Sequence, residues 1–171
     1  MFRSNKAFTL LELLVVVLII GITVSFITLT VDTRIDKIDL EARRLAALLN
    51  LVQEEAVLNG SEYALQFTKN NYSFLYFAEG KWKEIKEDDV LKVRSLPEGI
   101  ELQLVLEGEE VDLSLFNQEF DAGMTPPRLF LLSSGEFTPY EITMKDSYNR
   151  AGFQLMPGEN GRAKVVYRNE G

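Results

Sequence analysis

The chain has 171 residues, of which 46% are hydrophobic and 11% aromatic, and this composition excludes a disordered chain. Its formal net charge of −8 at pH 7 disfavours a broad surface for nucleic-acid phosphates. The sequence contains no cysteine and no histidine, which excludes a disulfide framework and removes the usual acid–base residue near neutral pH. We therefore expect a protein that is not an enzyme and that holds no cofactor and no metal.

The first predicted element is an apolar helix long enough to cross a membrane. Residues 8–31 contain one charged side chain, Glu12, and a bilayer core requires about 20 apolar residues in a helix. A cleaved secretory signal would show a small-x-small site, and the sequence TLTVDTRID that follows has none. Basic residues flank both ends, so charge alone gives no orientation.

Glu12 raises the question of why a carboxylate lies inside this apolar run. One interpretation places it near the lipid headgroups, where its side chain reaches water. The other requires a cation at the same depth. Cleavage between Ala7 and Phe8 would create an amino group one turn away, and two charges about 4 Å apart attract by about 4 kcal/mol at an effective dielectric near 20.

The helix is predicted to continue in amphipathic form to Asn59. Its apolar residues recur at spacings of three and four: Ile35, Ile38, Ala42, Leu45, Leu49, Val52 and Ala56. Charged residues fall off this stripe: Arg34, Lys37, Glu41, Arg44 and Glu55. Gly60 supplies a helix stop. A coiled-coil dimer seam is the weaker alternative, because only about three heptads precede Gly60.

From Glu62 onward the hydrophobic period changes to two, which predicts short antiparallel strands. The candidates cover residues 63–67, 72–76, 82–85, 91–96, 100–106, 111–115, 128–132, 137–144, 153–156 and 163–167. The longest irregular loop is expected at residues 117–127. The predicted fold class is α+β, a long N-terminal helix packed on an antiparallel β-sheet domain. The expected parts are a leader (1–7), a transmembrane helix half (8–31), an amphipathic helix half (32–60) and a β-rich globular domain (61–171).

Chemical motifs in the predicted β domain are few. The sequence has no GxSxG, Walker, HExxH or zinc-binding pattern. Two acidic clusters, at residues 87–89 and 107–112, could bind calcium, although solvated turns are the favoured interpretation. The aromatic residues Tyr72, Phe74, Tyr76, Phe77 and Trp82 could bind a ligand, but at strand spacing they are more often core residues and cross-strand pairs.

The N-terminal sequence KAFTLLELLVVVLIIGI resembles the processing signal of type IV pilins and type II secretion pseudopilins. The resemblance implies that a membrane-embedded prepilin peptidase cleaves between Ala7 and Phe8 and then N-methylates Phe8. It also implies that Glu12 is the glutamate these families use for filament assembly. Ala7 departs from the usual glycine but is still small, so we expect slower cleavage rather than none.

The body of the chain resembles the GspH family of minor pseudopilins. The stretches that carry this resemblance are EARRLAALLNLVQEEAVLNGSEYALQF, YSFLYFAEGKW, LPEGIEL and PPRLFLLSSGEFTPYEI. The resemblance implies a structural subunit near the tip of a periplasmic pseudopilus that promotes export of folded proteins across the outer membrane. It implies a single-pass inner-membrane protein with a cytoplasmic leader and a periplasmic C-terminal domain, in contact with membrane lipid. The implied partners are the major pseudopilin GspG and the minor pseudopilins GspI, GspJ and GspK.

Three alternatives stay open at this point. The chain could be a GspH/FimT-like minor pilin of a type IV pilus, acting in assembly or DNA uptake. The basic residues for DNA would be Arg150, Arg162, Lys164 and Arg168, set against the net charge of −8. The other two alternatives are a membrane-anchored enzyme, for which no catalytic constellation is found, and a single-span anchor that never polymerises.

Overall fold

The structure is a computed structural model that describes residues 10–116, 125–146 and 151–169, with backbone alone for residues 24–34, 151 and 169. The chain divides into two compact units, Met1–Asp36 and Lys37–Gly171. The helix α1 covers Leu10–Asn59, so its first part belongs to the first unit and its second part to the second. The predicted leader and most of the predicted loop at residues 117–127 lie outside the described residues.

The end of α1 follows from Gly60. This residue has a φ of +60°, a left-handed conformation that glycine adopts without steric cost. The Ser61 N–H donates a hydrogen bond of 3.1 Å to the Ala56 carbonyl, which is the wrapping bond of a Schellman cap. The predicted helix end at Asn59 is therefore confirmed.

One face of α1 in the second unit forms the helical side of the core. The residues predicted for this face are buried, and they are Ile38, Ala42, Leu45, Leu49, Val52 and Ala56. Ile35, which belongs to the first unit, is half-buried. Glu41 departs from the prediction, because it is buried although the helical period places it off the apolar stripe.

Ten strands follow the helix, together with a short 3₁₀ helix. In chain order the elements are β1 (Tyr63–Phe67), β2 (Asn71–Ala78), β3 (Lys81–Glu84), β4 (Arg94–Ser95), β5 (Ile100–Leu106), β6 (Glu109–Val111), the 3₁₀ helix (Leu113–Leu115), β7 (Arg128–Leu131), β8 (Tyr140–Asp146), β9 (Ala151–Pro157) and β10 (Ala163–Asn169). They form two antiparallel sheets. The first has the order β3-β2-β1-β7, with β4 paired to β2, and the second has the order β10-β9-β8-β5-β6. The α+β fold class is confirmed, with two sheets.

Three predicted strands are wrong in extent, and two aspartates and one proline explain the differences. Within residues 91–96 only β4 is extended, because the Asp88 carboxylate accepts the Val90 and Leu91 N–H groups and turns the chain. The strand predicted at 111–115 stops at Val111, because Asp112 caps the 3₁₀ helix. The strand predicted from residue 137 begins at Tyr140, directly after Pro139, which has no N–H to donate to a sheet.

Candidate functional site on the N-terminal helix

The N-terminal part of α1, which we define as residues 10–23, presents apolar side chains on every side. All its residues are exposed, and the large hydrophobic ones range from 41% for Val15 to 85% for Leu10. Apolar surface in water costs about 25 cal/mol per Å², and a continuous apolar surface of this kind marks a site for membrane or protein contact. The N-terminal part therefore requires an apolar environment that lies outside its own unit.

Two polar side chains, Thr23 and Glu12, occur in this part. The Thr23 hydroxyl lies 2.6 Å from the Ile19 carbonyl oxygen and 3.0 Å from that of Ile20, so the helix backbone accepts its proton. Glu12 lies in the first described turn of α1.

The predicted membrane and processing features are only partly within the described residues. Across those residues we find no helix whose length and apolar character suffice for a membrane crossing. Ala7 and Phe8 lie outside them, as do the side chains of residues 24–31. The membrane-spanning segment, the cleavage between Ala7 and Phe8, and the methylation of Phe8 stay predictions.

The C-terminal part of α1, which we define as residues 37–59, carries a buried carboxylate of its own. The Tyr72 hydroxyl donates a hydrogen bond of 2.7 Å to Glu41, and the Arg44 guanidinium forms an ion pair with Glu41 at 2.6 Å. Burial, followed by the hydrogen bond to this carboxylate, raises the pKa of Tyr72 well above its usual range. These contacts fix β2 of the first sheet against α1.

A second polar contact connects α1 to the start of β10. The Asn50 side chain accepts the Ala163 N–H at 2.8 Å and donates to the Ala163 carbonyl at 3.2 Å, as a neighbouring strand would. One turn along the helix, Glu54 forms an ion pair with Arg162. We call these two interactions the α1–β10 clasp. It satisfies backbone groups at the start of an edge strand and holds the second sheet against the helix.

The acidic clusters and the aromatic residues serve the fold. The Asp88 carboxylate accepts the Leu91 and Val90 N–H groups, and these hydrogen bonds lower its pKa. The Asp112 carboxylate accepts the Ser114 hydroxyl and the Ser114 N–H, which lower its pKa in the same way. Among the described residues no three acidic side chains converge on one point. Tyr72 and Phe74 are buried, and the Trp82 ring lies 5.3 Å from that of Phe77, its cross-strand neighbour. This arrangement supports the interpretation of core residues and cross-strand pairs.

Two family models together match most of the chain. The family model described as "Type II transport protein GspH" matches residues 41–168, and the model of the prokaryotic N-terminal methylation motif matches residues 2–28. The chain belongs to the GspH family. The Type II secretion system protein H of Pseudomonas aeruginosa is 33% identical over 150 residues, which is 84% of this chain and 85% of the relative. The protein of the same name from Aeromonas hydrophila is 30% identical over 98% of this chain and 97% of its own length.

Solved structures of the minor pseudopilin EpsH from the type II secretion system of Vibrio cholerae share the fold. One superposes with a TM-score of 0.64 and 25% identity, over 80% of this chain and 98% of that one. A second has a TM-score of 0.60 and 24% identity, over 77% and 97%. As a GspH family member with an N-terminal methylation motif, the chain is a minor pseudopilin of type II secretion. It is membrane-anchored and associates with other pseudopilins in the pseudopilus.

Proposed function

We propose that the chain is made as a precursor, is cleaved between Ala7 and Phe8 by the prepilin peptidase, and carries N-methyl-Phe8 as its mature N-terminus. The precursor crosses the inner membrane once, with residues 1–7 in the cytoplasm and the sheets in the periplasm. The observation that carries this proposal is the N-terminal part of α1, which exposes apolar side chains on all sides and has a single carboxylate in its first described turn.

Glu12 has a specific role in this proposal. The pseudopilus packs the N-terminal helices of its subunits into an apolar bundle from which water is largely excluded. There the carboxylate of Glu12 pairs with the N-terminal amine of a neighbouring subunit, and N-methylation leaves that amine cationic. A subunit out of axial register would leave both charges unpaired, and breaking a buried pair costs about 3–5 kcal/mol. The pairing therefore selects the register in which a subunit enters the filament.

The globular part acts as a structural element and not as a catalyst. We place the subunit near the tip of the pseudopilus, between the major pseudopilin GspG and the minor pseudopilins GspI, GspJ and GspK. Growth of the filament would promote export of folded proteins across the outer membrane. The acidic charge of the chain supports a partner that is protein rather than nucleic acid.

The mature N-terminus tests the proposal directly. Mass spectrometry of the membrane-extracted protein, from cells with an active prepilin peptidase, should give a chain that starts at N-methyl-Phe8. An Ala7→Gly variant is the matched control and should be processed faster than the natural chain. An intact Met1 terminus in both chains would refute the proposal. Cleavage without methylation would refute the methylation step alone.

A further inference from the structure

The turn between β9 and β10 contains an asparagine that is followed directly by glycine, Asn160-Gly161. The chain has one other Asn-Gly sequence, Asn59-Gly60, at the end of α1. In such a sequence the backbone nitrogen of the glycine can attack the asparagine side chain, because glycine has no Cβ to block the approach. We propose that Asn160 is a self-modification site, at which the folded chain converts asparagine to aspartate and isoaspartate, and that the fold protects Asn59 from the same reaction.

The reaction uses two groups of the chain and one molecule of water. The Gly161 nitrogen loses its proton to hydroxide and attacks Cγ of Asn160, so that an N–Cγ bond forms. The Cγ–Nδ2 bond then breaks, and ammonia leaves with a proton taken from water, which leaves a five-membered succinimide ring. Water opens the ring at either of its carbonyl carbons and gives aspartate or isoaspartate at position 160. In total one water is consumed and one ammonia is released, and no oxidant or reductant takes part.

A hydrogen bond within the turn brings the two reacting atoms together. The Oδ1 atom of Asn160 accepts the Arg162 N–H at 3.2 Å. The carboxamide therefore folds back along the Gly161 residue, and its Cγ lies beside the Gly161 nitrogen. A donor on Oδ1 also stabilises the negative charge that develops on this oxygen when the nitrogen attacks. The turn thus holds the electrophilic carbon in place and activates it.

The surroundings of Asn160 give the reaction access to water. Asn160 is exposed, so hydroxide can reach the turn and ammonia can leave it. The Gly161 N–H donates a hydrogen bond of 2.9 Å to the Gly158 carbonyl, and this bond must open before the nitrogen can react. A single backbone hydrogen bond in an exposed turn opens at a small fraction of the free energy of global unfolding. Local opening of the turn is therefore sufficient for the reaction.

Asn59 is also exposed, but the helix keeps its reacting atoms apart. It is the last residue of α1, and side chains on a helix tilt toward the N-terminus, so its carboxamide points away from the Gly60 nitrogen. The hydrogen bond from the Ser61 N–H to the Ala56 carbonyl marks a Schellman cap, in which the N–H of the capping glycine also bonds to a helix carbonyl. Reaction at Asn59 therefore requires the end of the helix to unwind.

The charge of the product would act on the α1–β10 clasp. Asn160, Arg162 and Glu54 line one groove of about 430 Å³. Conversion of Asn160 places a new carboxylate in this groove, where it competes with Glu54 for the Arg162 guanidinium. We therefore expect the ion pair of the clasp to weaken when Asn160 is modified.

The length of the product would act on the same clasp. Isoaspartate adds one methylene to the main chain, three residues before Ala163, whose N–H and carbonyl both bond to Asn50. The turn has little room for an additional atom, since a Cβ on Gly161 would already lie 3.3 Å from the Phe137 ring. Isoaspartate should therefore displace Ala163 from Asn50 and weaken the clasp more than aspartate does.

Peptide mapping by mass spectrometry tests the selectivity in the full chain. The detergent-extracted protein is kept in mildly alkaline buffer, and conversion adds about 1 Da to the peptide that contains the modified asparagine. In the folded chain we expect Asn160 to convert at least about tenfold faster than Asn59, because Asn59 needs local unwinding. In concentrated urea the two rates should become similar. No conversion of Asn160, equal rates in the folded chain, or a rate difference that persists in urea would each overturn the proposal.

Hydrogen exchange at the Ala163 N–H tests the effect on the clasp. Asn160→Asp introduces the product charge, and Asn59→Asp is the matched control because it adds the same charge at the other Asn-Gly sequence. Exchange at Ala163 should be about two- to fivefold faster in Asn160→Asp, as expected for the loss of an exposed ion pair, and unchanged in Asn59→Asp. Chains with isoaspartate at position 160 should exchange faster still. Unchanged exchange in Asn160→Asp and in the isoaspartate chains, or equal acceleration in Asn59→Asp, would overturn the effect on the clasp.

Discussion

The two parts of α1 have similar helical backbones but obtain their stability from different sources. The N-terminal part exposes apolar side chains all round, whereas the C-terminal part buries one stripe completely, with Ala42, Leu45 and Val52 inaccessible to solvent. The two sheets of the second unit supply the partner surface for the C-terminal part. For the N-terminal part, we propose that membrane lipid and neighbouring subunits supply it. A substitution in one part should therefore affect folding, and a substitution in the other should affect assembly.

The contrast between the two parts of α1 is clearest for their carboxylates, Glu12 and Glu41. Glu41 is paired within its own unit, with Tyr72 and Arg44. Glu12 lies in the apolar N-terminal part, and we propose that its partner in the filament comes from another subunit. Each carboxylate would thus specify a different level of organisation: Glu41 fixes the packing of one subunit, and Glu12 fixes the register between subunits.

The largest expected effect concerns assembly. Glu12→Ala should leave membrane insertion and cleavage at Ala7–Phe8 intact but reduce incorporation and secretion at least tenfold, because 3–5 kcal/mol of pairing energy is lost. The measurement is crosslinking to GspG or GspI alongside a secretion assay, in cells that express only the variant. Unchanged crosslinking and secretion would show that Glu12 is an interfacial carboxylate without a role in register.

The next effect concerns folding and should be confined to the C-terminal part. Leu45→Ala should lower the free energy of unfolding by about 2–5 kcal/mol, since it removes a fully buried side chain. Urea denaturation would be followed on a shortened chain that begins at residue 31, which we expect to be soluble because its helix is amphipathic. The control is Leu51→Ala on the exposed side, with an expected loss below about 0.5 kcal/mol. Equal losses would mean that the two sides of the helix are not energetically distinct.

Removing the buried carboxylate should have a smaller effect than removing the buried leucine. Glu41→Ala leaves the Tyr72 hydroxyl without its acceptor, which should cost about 2–3 kcal/mol because Arg44 is partly exposed and can turn to water. Combining it with Tyr72→Phe should cost less than the sum of the single changes. Additive losses in this double-mutant cycle would contradict a direct interaction between the two residues.

Several of these features could be predicted from the sequence, and others could not. The end of α1 was predictable because the apolar period stops at Asn59–Gly60, where one glycine supplies the left-handed cap. Burial of Glu41 was not predictable, because its partner Tyr72 lies 31 residues away and the two meet only when the first sheet packs on the helix. The contact of Asn50 with Ala163 spans 113 residues. Local periodicity carries no information on contacts of that separation.

Alkaline pH should lower the free energy of unfolding of the second unit. Burial raises the pKa of Tyr140 to about 12 from an ordinary value of 10, so the folded chain favours the neutral phenol. The stability that the neutral phenol contributes is fully present below pH 10. As the pH rises from 10 to 12, the unfolded chain loses this proton before the folded chain does, and the free energy of unfolding falls by about 1.4 kcal/mol for each pH unit. Tyr72, whose pKa is also raised, adds to the loss. Urea denaturation between pH 8 and pH 11 should show a constant free energy of unfolding up to about pH 10 and a fall above it, and Tyr140→Phe should make that fall less steep.

A small loss of stability is expected from a substitution at Gly60, the residue that directly follows the last residue of α1. A Cβ at this position would meet no atom within 4 Å, so any cost of Gly60→Ala comes from the backbone alone. With a φ of +60°, that cost should be about 1 kcal/mol in the free energy of unfolding. Gly60→Asn should cost less, because asparagine tolerates the left-handed conformation better than alanine.

A substitution at Gly21 gives the matched test in the N-terminal part of the helix. Gly21 lies within α1, and a Cβ there also meets no atom within 4 Å. Gly21→Ala in the full chain should leave the unfolding of the second unit unchanged, because Gly21 belongs to the first unit and is exposed. If instead Gly60→Ala had no effect and Gly21→Ala lowered the stability of the sheets, the two parts of α1 would be energetically coupled. The contrast between folding and assembly would then not follow the division of the helix.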